Sequence, residues 1–162
     1  MTVAVPTRDA GTAASVAAVA LRVLVAAALA VDAVVHLRLA ADYQLAAPGG
    51  IGQGNLFRIE AAVAVAVGLY VLLTGSRTAY TAAFLVTASA LTAVLVYRYI
   101  DVPSIGPIPS MYEPLWFFQK SLSAVAEGAG ALLAAGGVAL TTFAAPRSPH
   151  RVGKPRPAGG VT

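Results

Sequence analysis

Four ionisable residues lie in stretches of the sequence that are otherwise apolar. Asp32 and His36 are four residues apart in a run of Ala, Val and Leu, and Glu60 and Glu127 lie in two similar runs. If these runs are helices, the spacing places Asp32 and His36 on one helix face. Carboxylates and an imidazole inside a membrane can carry protons, bind a cation or hydrogen-bond the polar head of a ligand. These four residues are therefore the core of a predicted intramembrane polar site.

The same four side chains are chemically acceptable ligands for zinc, manganese or iron. Their spacing matches no metal motif, and the only other histidine, His150, lies in the polar C-terminal stretch. From the sequence we do not expect a bound metal; the side chains that would supply ligands to one are His36, Asp32, Glu60 and Glu127. The absence of cysteine excludes thiol catalysis, disulfides and Cys-based zinc sites.

A structural interpretation of the same residues stays open beside the ligand site. A charge at the centre of a membrane helix costs about 2.5–3.5 kcal/mol on insertion scales, so such groups are normally paired. The acids could fix helix register through three ion pairs or hydrogen bonds: Asp32–His36, Arg58–Glu60 and Lys120–Glu127. The sequence alone does not distinguish a ligand-binding role of these residues from a structural role as ion pairs.

The composition indicates which elements position these residues. The chain of 162 residues is 58% hydrophobic and 11% charged, with a mean hydropathy of +0.76. Soluble domains carry about 25% charged residues, so much of this surface must face lipid. A membrane-spanning helix needs about 20 apolar residues, and the length allows about four spans with short loops. The predicted fold is therefore an all-α, polytopic membrane four-helix bundle.

The predicted helices cover residues 15–41, 55–74, 78–99 and 114–143, within a transmembrane domain of residues 14–144. Asn55 is the predicted N-cap of the second helix, and Pro114 is predicted in the first turn of the fourth. The short connection from Gly75 to Arg77 makes the second and third helices antiparallel neighbours. Residues 1–13 are predicted to be flexible, and residues 145–162 to form a disordered basic tail.

The distribution of basic residues predicts the orientation. Seven bases fall on the side of both termini: Arg8, Arg22, Arg77, Arg147, Arg151, Lys154 and Arg156. The positive-inside rule makes that side cytoplasmic, so both termini are predicted to be cytoplasmic. The basic tail is expected to contact anionic lipid rather than nucleic acid. The expected location is the plasma membrane of a bacterial cell.

The stretch from Tyr97 to Glu127 is expected to cover the site on the outer face. It contains a proline-rich loop and then a helix face of small residues that carries Glu127 and turns it inward. Five further residues of this stretch are predicted to contribute to ligand binding: Arg98, Tyr112, Glu113, Trp116 and Lys120. For the aromatic residues, a belt at the headgroup level is the alternative interpretation.

Three segments carry a resemblance to a known group of proteins. They are HLRLAADYQ at 36–44, IGQGNLFRIEA at 51–61 and YEPLWFFQKSLSAVAE at 112–127. They resemble small four-helix membrane proteins that are common in actinobacteria, and the chain is more distantly similar to DoxX-like proteins, some of which are linked to quinone-dependent oxidation. On matching positions the resemblance points to His36, Glu113 and Glu127. It implies the topology, and it makes quinone the cofactor to consider.

Three functional interpretations follow from these observations. The first is a membrane protein, not itself an enzyme, with an outward-facing polar site. It binds a lipid, a quinone or a cation there, or it acts as an accessory subunit. The second, which comes from the resemblance, is a DoxX-like subunit of a quinone-linked redox enzyme. The third is a structural partner in a membrane complex. The expected partners are the lipid bilayer and either another membrane protein or further copies of the chain.

Overall fold

The structure of the protein, a computed structural model, describes residues 8–44 and 51–143. Within these ranges the chain forms four α-helices and no strand: α1 (Arg8–Asp42), α2 (Gln53–Thr74), α3 (Arg77–Tyr99) and α4 (Phe118–Phe143). The all-α four-helix architecture predicted from the composition is therefore confirmed. The segment between α3 and α4 is not helical. It contains one tight turn, in which Ile105 and Ile108 exchange main-chain hydrogen bonds.

The helices pack as a ring in which each touches two neighbours. α1 packs along α2 and α4, α3 packs along α4 and α2, and α1 and α3 lie diagonally with few contacts. The fully buried centre of the bundle includes Val25, Leu29 and Val71. Many of the larger apolar side chains, such as Leu73, Leu132 and Phe143, instead face outward. An apolar exterior is stable only in lipid, and all four helices are long and apolar enough to cross a membrane.

Small residues allow α3 and α4 to approach closely. The ring of Tyr80 on α3 lies directly over the backbone of Gly137, in the space that a Cβ atom would occupy. About two turns nearer the cavity end, a Cβ on Gly130 would lie 2.9 Å from Cγ2 of Thr87. The small-residue face predicted for the fourth helix is therefore a helix–helix interface.

The structure corrects the predicted starts of the first two helices. α1 begins at Arg8 rather than at residue 15, because its three alanines before Ser15 favour helix and no proline interrupts the segment. The segment predicted to be flexible is thus helical from residue 8, and residues 1–7 and the tail at 145–162 lie outside the described residues. α2 begins at Gln53, so Asn55 does not cap it. Instead the Asn55 side-chain amide donates to the Ile51 carbonyl, 2.9 Å away.

The start of the fourth helix is also corrected. α4 begins at Phe118, so Pro114 lies in the preceding extended segment and not in a first helical turn. A helix from residue 114 would use the Glu113 carbonyl as acceptor for an N–H one turn later. That carbonyl instead accepts a hydrogen bond from Lys120 Nζ, while the Glu113 N–H donates to the Tyr97 carbonyl at 3.0 Å. These two bonds hold the segment extended against the end of α3.

The junction between α2 and α3 matches the prediction of a short connection. Gly75 ends α2 in the left-handed conformation (φ 53°, ψ 26°), and its N–H donates to the Val71 carbonyl at 2.9 Å. Ser76 then caps α3, because its side-chain oxygen accepts from the Ala79 N–H at 3.2 Å. Glycine at the first position and serine at the second are the residue types that these two roles favour.

Candidate functional site

A cavity of about 420 Å³ lies where one end of each helix meets the loop between α3 and α4. The wall is mostly apolar and includes Leu39, Leu56, Phe57, Val94, Met111 and Phe117. Main-chain hydrogen bonds tie together the segments that surround its outer end: the Ile51 N–H donates to the Pro107 carbonyl at 3.0 Å. The predicted cover over the site therefore consists of the loop between α3 and α4 together with the start of α2.

The imidazole of His36 is one of the polar groups on the cavity wall. Its Nδ1 lies 2.9 Å from Asp32 Oδ1 and 3.1 Å from the Asp32 main-chain oxygen, one helical turn earlier. Because both of these atoms accept hydrogen bonds, Nδ1 is the donor. The ring also meets Phe57 edge to face, with centroids 5.3 Å apart. Among the described residues Nε2 makes no hydrogen bond, so it remains open to a group in the cavity.

Ser123 lines the cavity and contacts the two buried carboxyl groups beneath it, Asp32 on α1 and Glu127 on α4. Its Oγ lies 3.1 Å from Asp32 Oδ1 and 2.7 Å from Glu127 Oε1. A hydroxyl has one proton and can donate to only one of these oxygens at a time. Both contacts are satisfied together only when one of the carboxyl groups carries a proton and donates it to Oγ. This cluster of Asp32, His36, Ser123 and Glu127 is called the polar cluster below.

The polar cluster has more acceptor atoms than donors. Asp32 Oδ2 and Glu127 Oε2 are buried and have no hydrogen-bond partner among the described residues, and the same holds for Glu60 Oε1 higher on the cavity wall. Within residues 8–44 and 51–143 the only ion pair is Asp32–His36. Leaving such groups unpaired costs free energy in an apolar medium. The cluster therefore has unused capacity to bind a cation, a proton or a hydrogen-bond donor.

The outer end of the cavity carries a second, more accessible polar set. Tyr43 follows α1, and its hydroxyl lies 3.5 Å from Glu113 Oε2. Burial, and then the nearby Glu113 carboxylate, raise the pKa of the Tyr43 hydroxyl above its usual range, so it remains a neutral donor. Lys120 reaches the same region, where it donates to the Glu113 main-chain oxygen. This set fixes the loop between α3 and α4 to the ends of α1 and α4.

Two of the three predicted structural pairs do not form. Arg58 donates to the side-chain oxygens of Gln44 and Asn55, and it makes no ion pair with Glu60. Residues two apart point to different sides of a helix, which takes Arg58 outward and Glu60 toward the cavity. Lys120 does not reach Glu127, because long side chains at the start of a helix extend back toward its N-terminus.

Three of the predicted site residues lie outside the cavity wall. Arg98, Tyr112 and Trp116 are absent from its lining. The Arg98 guanidinium lies 4.9 Å from the centre of the Tyr99 ring and 5.9 Å from that of Trp116, which is a cation–π arrangement. Tyr112 and Trp116 are largely exposed beside them. This placement is typical of aromatic residues at the headgroup level of a membrane.

The structure brings the other six predicted residues together in two layers. His36, Glu60, Glu113 and Lys120 line the cavity, and Asp32 and Glu127 lie buried beneath it. Sequence reasoning did not include Tyr43, Phe57 or Ser123 in the site. For Ser123 the signal was present, because it precedes Glu127 by four residues on one helix face. For Tyr43 and Phe57 only the packing of α1 on α2 brings the two rings together, with centroids 5.6 Å apart.

Comparison of the chain with protein-family models, with curated proteins and with solved structures finds no match. The fold and the site therefore define the protein by class. It is a multi-pass, four-helix membrane protein with a cavity at one end of the bundle and a buried polar cluster beneath that cavity.

Proposed function

We propose that this protein binds an amphipathic molecule with a flat, hydrogen-bonding head, the chemistry of a quinone, in the cavity above the polar cluster. The observation that carries the proposal is the setting of His36. Its Nδ1 is held by Asp32, its ring is packed against Phe57, and its Nε2 faces an apolar cavity without a partner among the described residues. A fixed polar atom in an otherwise apolar cavity is the usual design of a ligand site.

The dimensions and chemistry of the cavity support a ring-shaped head rather than a large polar ligand. A volume of about 420 Å³ falls within the range of small-molecule sites, roughly 300–1,000 Å³. The aromatic walls of Phe57 and Phe117 offer flat surfaces for stacking. Polar groups are present deep in the cavity, on His36 and Ser123, higher on its wall, on Glu60, and at the outer end, on Tyr43 and Lys120. A ring with carbonyl oxygens on opposite sides would accept a hydrogen bond from Tyr43 or Lys120 at the outer end. At the other end it would accept one from His36 Nε2, which donates when Asp32 and His36 form an ion pair and both ring nitrogens carry a proton.

The proposed location is the bacterial plasma membrane, with the cavity at the outer leaflet and both termini in the cytoplasm. Among the described residues, Arg22 and Arg77 lie at the bundle end opposite the cavity, where Arg22 packs against Gly75. In the sequence, Arg147, Arg151, Lys154 and Arg156 follow α4, whose C-terminal end lies on that side. The positive-inside rule supports a cytoplasmic location for this basic end. A ligand would then enter from the outer leaflet or from outside the cell.

A structural role is the second candidate, and the link between Asp32 and Ser123 favours it. This hydrogen bond joins α1 to α4 inside the membrane, whether or not a ligand is bound. In that case His36 would only hold Asp32 in place.

The DoxX-like redox role differs from simple binding because it requires a partner protein that carries a redox centre. A change in the redox state of bound quinone in a complex with such a partner would support this role.

Thermal unfolding of the full-length protein in lipid nanodiscs tests the proposal with a short-chain menaquinone analogue as the probe. A ligand at about 100 times its dissociation constant stabilises the folded state by about 2.7 kcal/mol, so the melting temperature should rise by several degrees. The rise should be lost in His36→Ala. It should also be lost in Ala93→Trp, which fills the cavity from α3.

The matched control is Ala62→Trp, which adds the same side chain to an exposed position on α2 that does not line the cavity. This variant should keep the full response to the quinone analogue. Native mass spectrometry of the wild type should show a bound species that both cavity variants lack. A wild type without any shift, or an equal shift in Ala93→Trp, would leave the structural role as the better interpretation.

A further inference from the structure

The polar cluster brings four nitrogen and oxygen atoms that could ligate a metal ion close together. His36 Nδ1 is 2.9 Å from Asp32 Oδ1, which is 3.1 Å from Ser123 Oγ, which in turn is 2.7 Å from Glu127 Oε1. Ligand atoms of the three ionisable residues all lie within 4.8 Å of one another. Around a tetrahedral zinc ion with bonds of about 2.0–2.1 Å, neighbouring ligand atoms are about 3.3–3.4 Å apart. The two carboxyl groups would rotate to bring the donors to that spacing when an ion binds.

A second, independent observation is the state of the remaining oxygens. Asp32 and Glu127 are both 0% exposed, and His36 is 9% exposed. Each of the two carboxyl groups still has one oxygen without a hydrogen-bond partner among the described residues. Buried carboxylates are normally paired or bound to a metal, because an unpartnered one is costly. The cluster is therefore incomplete as a hydrogen-bond network, and a cation would complete it.

The charge of the cluster also fits a divalent cation. No lysine or arginine in the described residues forms an ion pair with Asp32 or Glu127. Lys120, the nearest cationic side chain on α4, donates to a main-chain oxygen of the loop instead. With the imidazole neutral and both carboxyl groups ionised, the form in which all three could ligate a metal, the cluster would carry a net charge of minus two inside the membrane. A divalent ion would cancel this charge without requiring either carboxyl group to hold a proton.

The donor types select among divalent ions. Ca²⁺ prefers six to eight oxygen ligands, and Mg²⁺ keeps a nearly octahedral shell of oxygens and waters. An imidazole nitrogen together with two carboxylates instead suits a first-row transition metal, and four-coordinate geometry suits zinc. We infer that Asp32, His36 and Glu127 form a binding site for a divalent transition metal ion of the Zn²⁺ type, with Ser123 beside the ion.

The metal site would also set the chemistry of the cavity above it. A metal on His36 Nδ1 requires that nitrogen to be unprotonated, so the ring proton moves to Nε2. Nε2 would then donate to an acceptor in the cavity, such as the carbonyl oxygen of a ring-shaped head. The metal site shares His36 with the proposed ligand cavity, but it does not depend on an organic molecule being bound there.

Metal titration of the purified full-length protein in nanodiscs tests this inference. The protein carries no histidine tag and contains His150→Ala, so that His36 is its only histidine. After treatment with a chelator, Zn²⁺ should bind with a stoichiometry of one ion per chain, measured by competition with a fluorescent chelator. Mg²⁺ and Ca²⁺ should not compete. The variants Asp32→Asn and Glu127→Gln keep the side-chain shape and should each weaken Zn²⁺ binding at least 100-fold.

Asp42→Asn is the matched control, because it makes the same chemical change at an exposed position on the same helix. It should alter the zinc affinity by less than threefold. Co²⁺ bound to the wild-type protein gives a second measurement, which does not depend on whether any variant folds. Its d–d absorption should report nitrogen and oxygen ligands in four-coordinate geometry. Octahedral Co²⁺ absorption, no bound metal, or equal binding in Glu127→Gln and the wild type would each overturn the inference.

The two proposals fail separately under these measurements. Asp32 and Glu127 do not line the cavity, so substitutions there address the metal. Ala93→Trp addresses the cavity and should leave zinc binding unchanged. A protein that binds the quinone analogue but no Zn²⁺ would overturn only the metal site. A protein that binds Zn²⁺ with no quinone response would overturn only the proposed ligand.

Discussion

Ser123 on α4 and Asp32 on α1 are joined by a hydrogen bond of 3.1 Å that is completely buried in the middle of the bundle. It is the polar link that spans the interface between these two helices, and the same hydroxyl contacts Glu127. One small side chain thus holds both carboxyl groups of the polar cluster. The stability of the bundle and the geometry of the proposed metal site both depend on this position.

Ser123→Ala should therefore lower the free energy of unfolding by about 0.6–1.7 kcal/mol, the range measured for buried hydrogen bonds between membrane helices. Unfolding in mixed detergent micelles containing increasing SDS measures the change. Ser121→Ala makes the same substitution two residues earlier at an exposed position and should change the free energy little. Equal effects of the two variants would show that the Ser123 hydroxyl does not link the helices.

Gly137→Ala should destabilise the bundle by about 1–3 kcal/mol, because an added methyl group overlaps the ring of Tyr80 and forces the α3–α4 interface apart. Gly136→Ala is the adjacent control. A Cβ at residue 136 meets nothing within 4 Å, so this variant should be neutral or slightly more stable through its higher helix propensity. The same SDS titration compares the two. Equal stabilities would contradict the close approach of α3 and α4.

Lys120→Met should loosen the loop between α3 and α4 while keeping an unbranched side chain of similar length. The lysine is the donor to the Glu113 carbonyl, and the neighbouring Glu113 N–H donates to Tyr97. Hydrogen–deuterium exchange at the Glu113 amide should become about tenfold faster, which corresponds to about 1.4 kcal/mol for the lost bond. Gln119→Met, at an exposed position, should leave this exchange rate unchanged. Unchanged exchange in Lys120→Met would show that the loop is held by other contacts.

The proposed orientation can be measured with reporters that are active only outside the cytoplasm. A reporter fused after Thr162 should be inactive, and so should one inserted at Ser76 between α2 and α3. A reporter inserted at Gly106, in the exposed reversal of the loop between α3 and α4, should be active. The opposite pattern would place the cavity on the cytoplasmic side. It would also change the side from which a ligand enters.

The arrangement of the polar residues shows where sequence reasoning succeeded. Asp32 and His36 were paired correctly, because positions four apart on a helix must share a face. Glu127 was placed inward correctly, because it lies on the face of small residues that packs against the other helices. In both cases the inference stayed within a single helix, where the backbone geometry is fixed.

The predicted contacts and helix start were wrong where a long side chain or a loop can reach several alternative hydrogen-bond partners. Lys120 is on the same helix as Glu127, but its flexible side chain turns back to Glu113. The start of α4 was placed at Pro114, because proline favours a first helical turn. The observed start at Phe118 depends on hydrogen bonds to the end of α3, which no local pattern reveals.

The sequence by itself determined that four apolar helices cross a membrane. It also identified the few polar residues that lie within those helices. It could do so because the apolar length of a helix and the cost of buried charge are local properties. Only the tertiary structure decided that Ser123 joins Asp32 to Glu127, and that Tyr112 and Trp116 lie outside the cavity. These relationships depend on how α1, α3 and α4 are rotated and shifted against one another, and that is set by packing across the whole bundle.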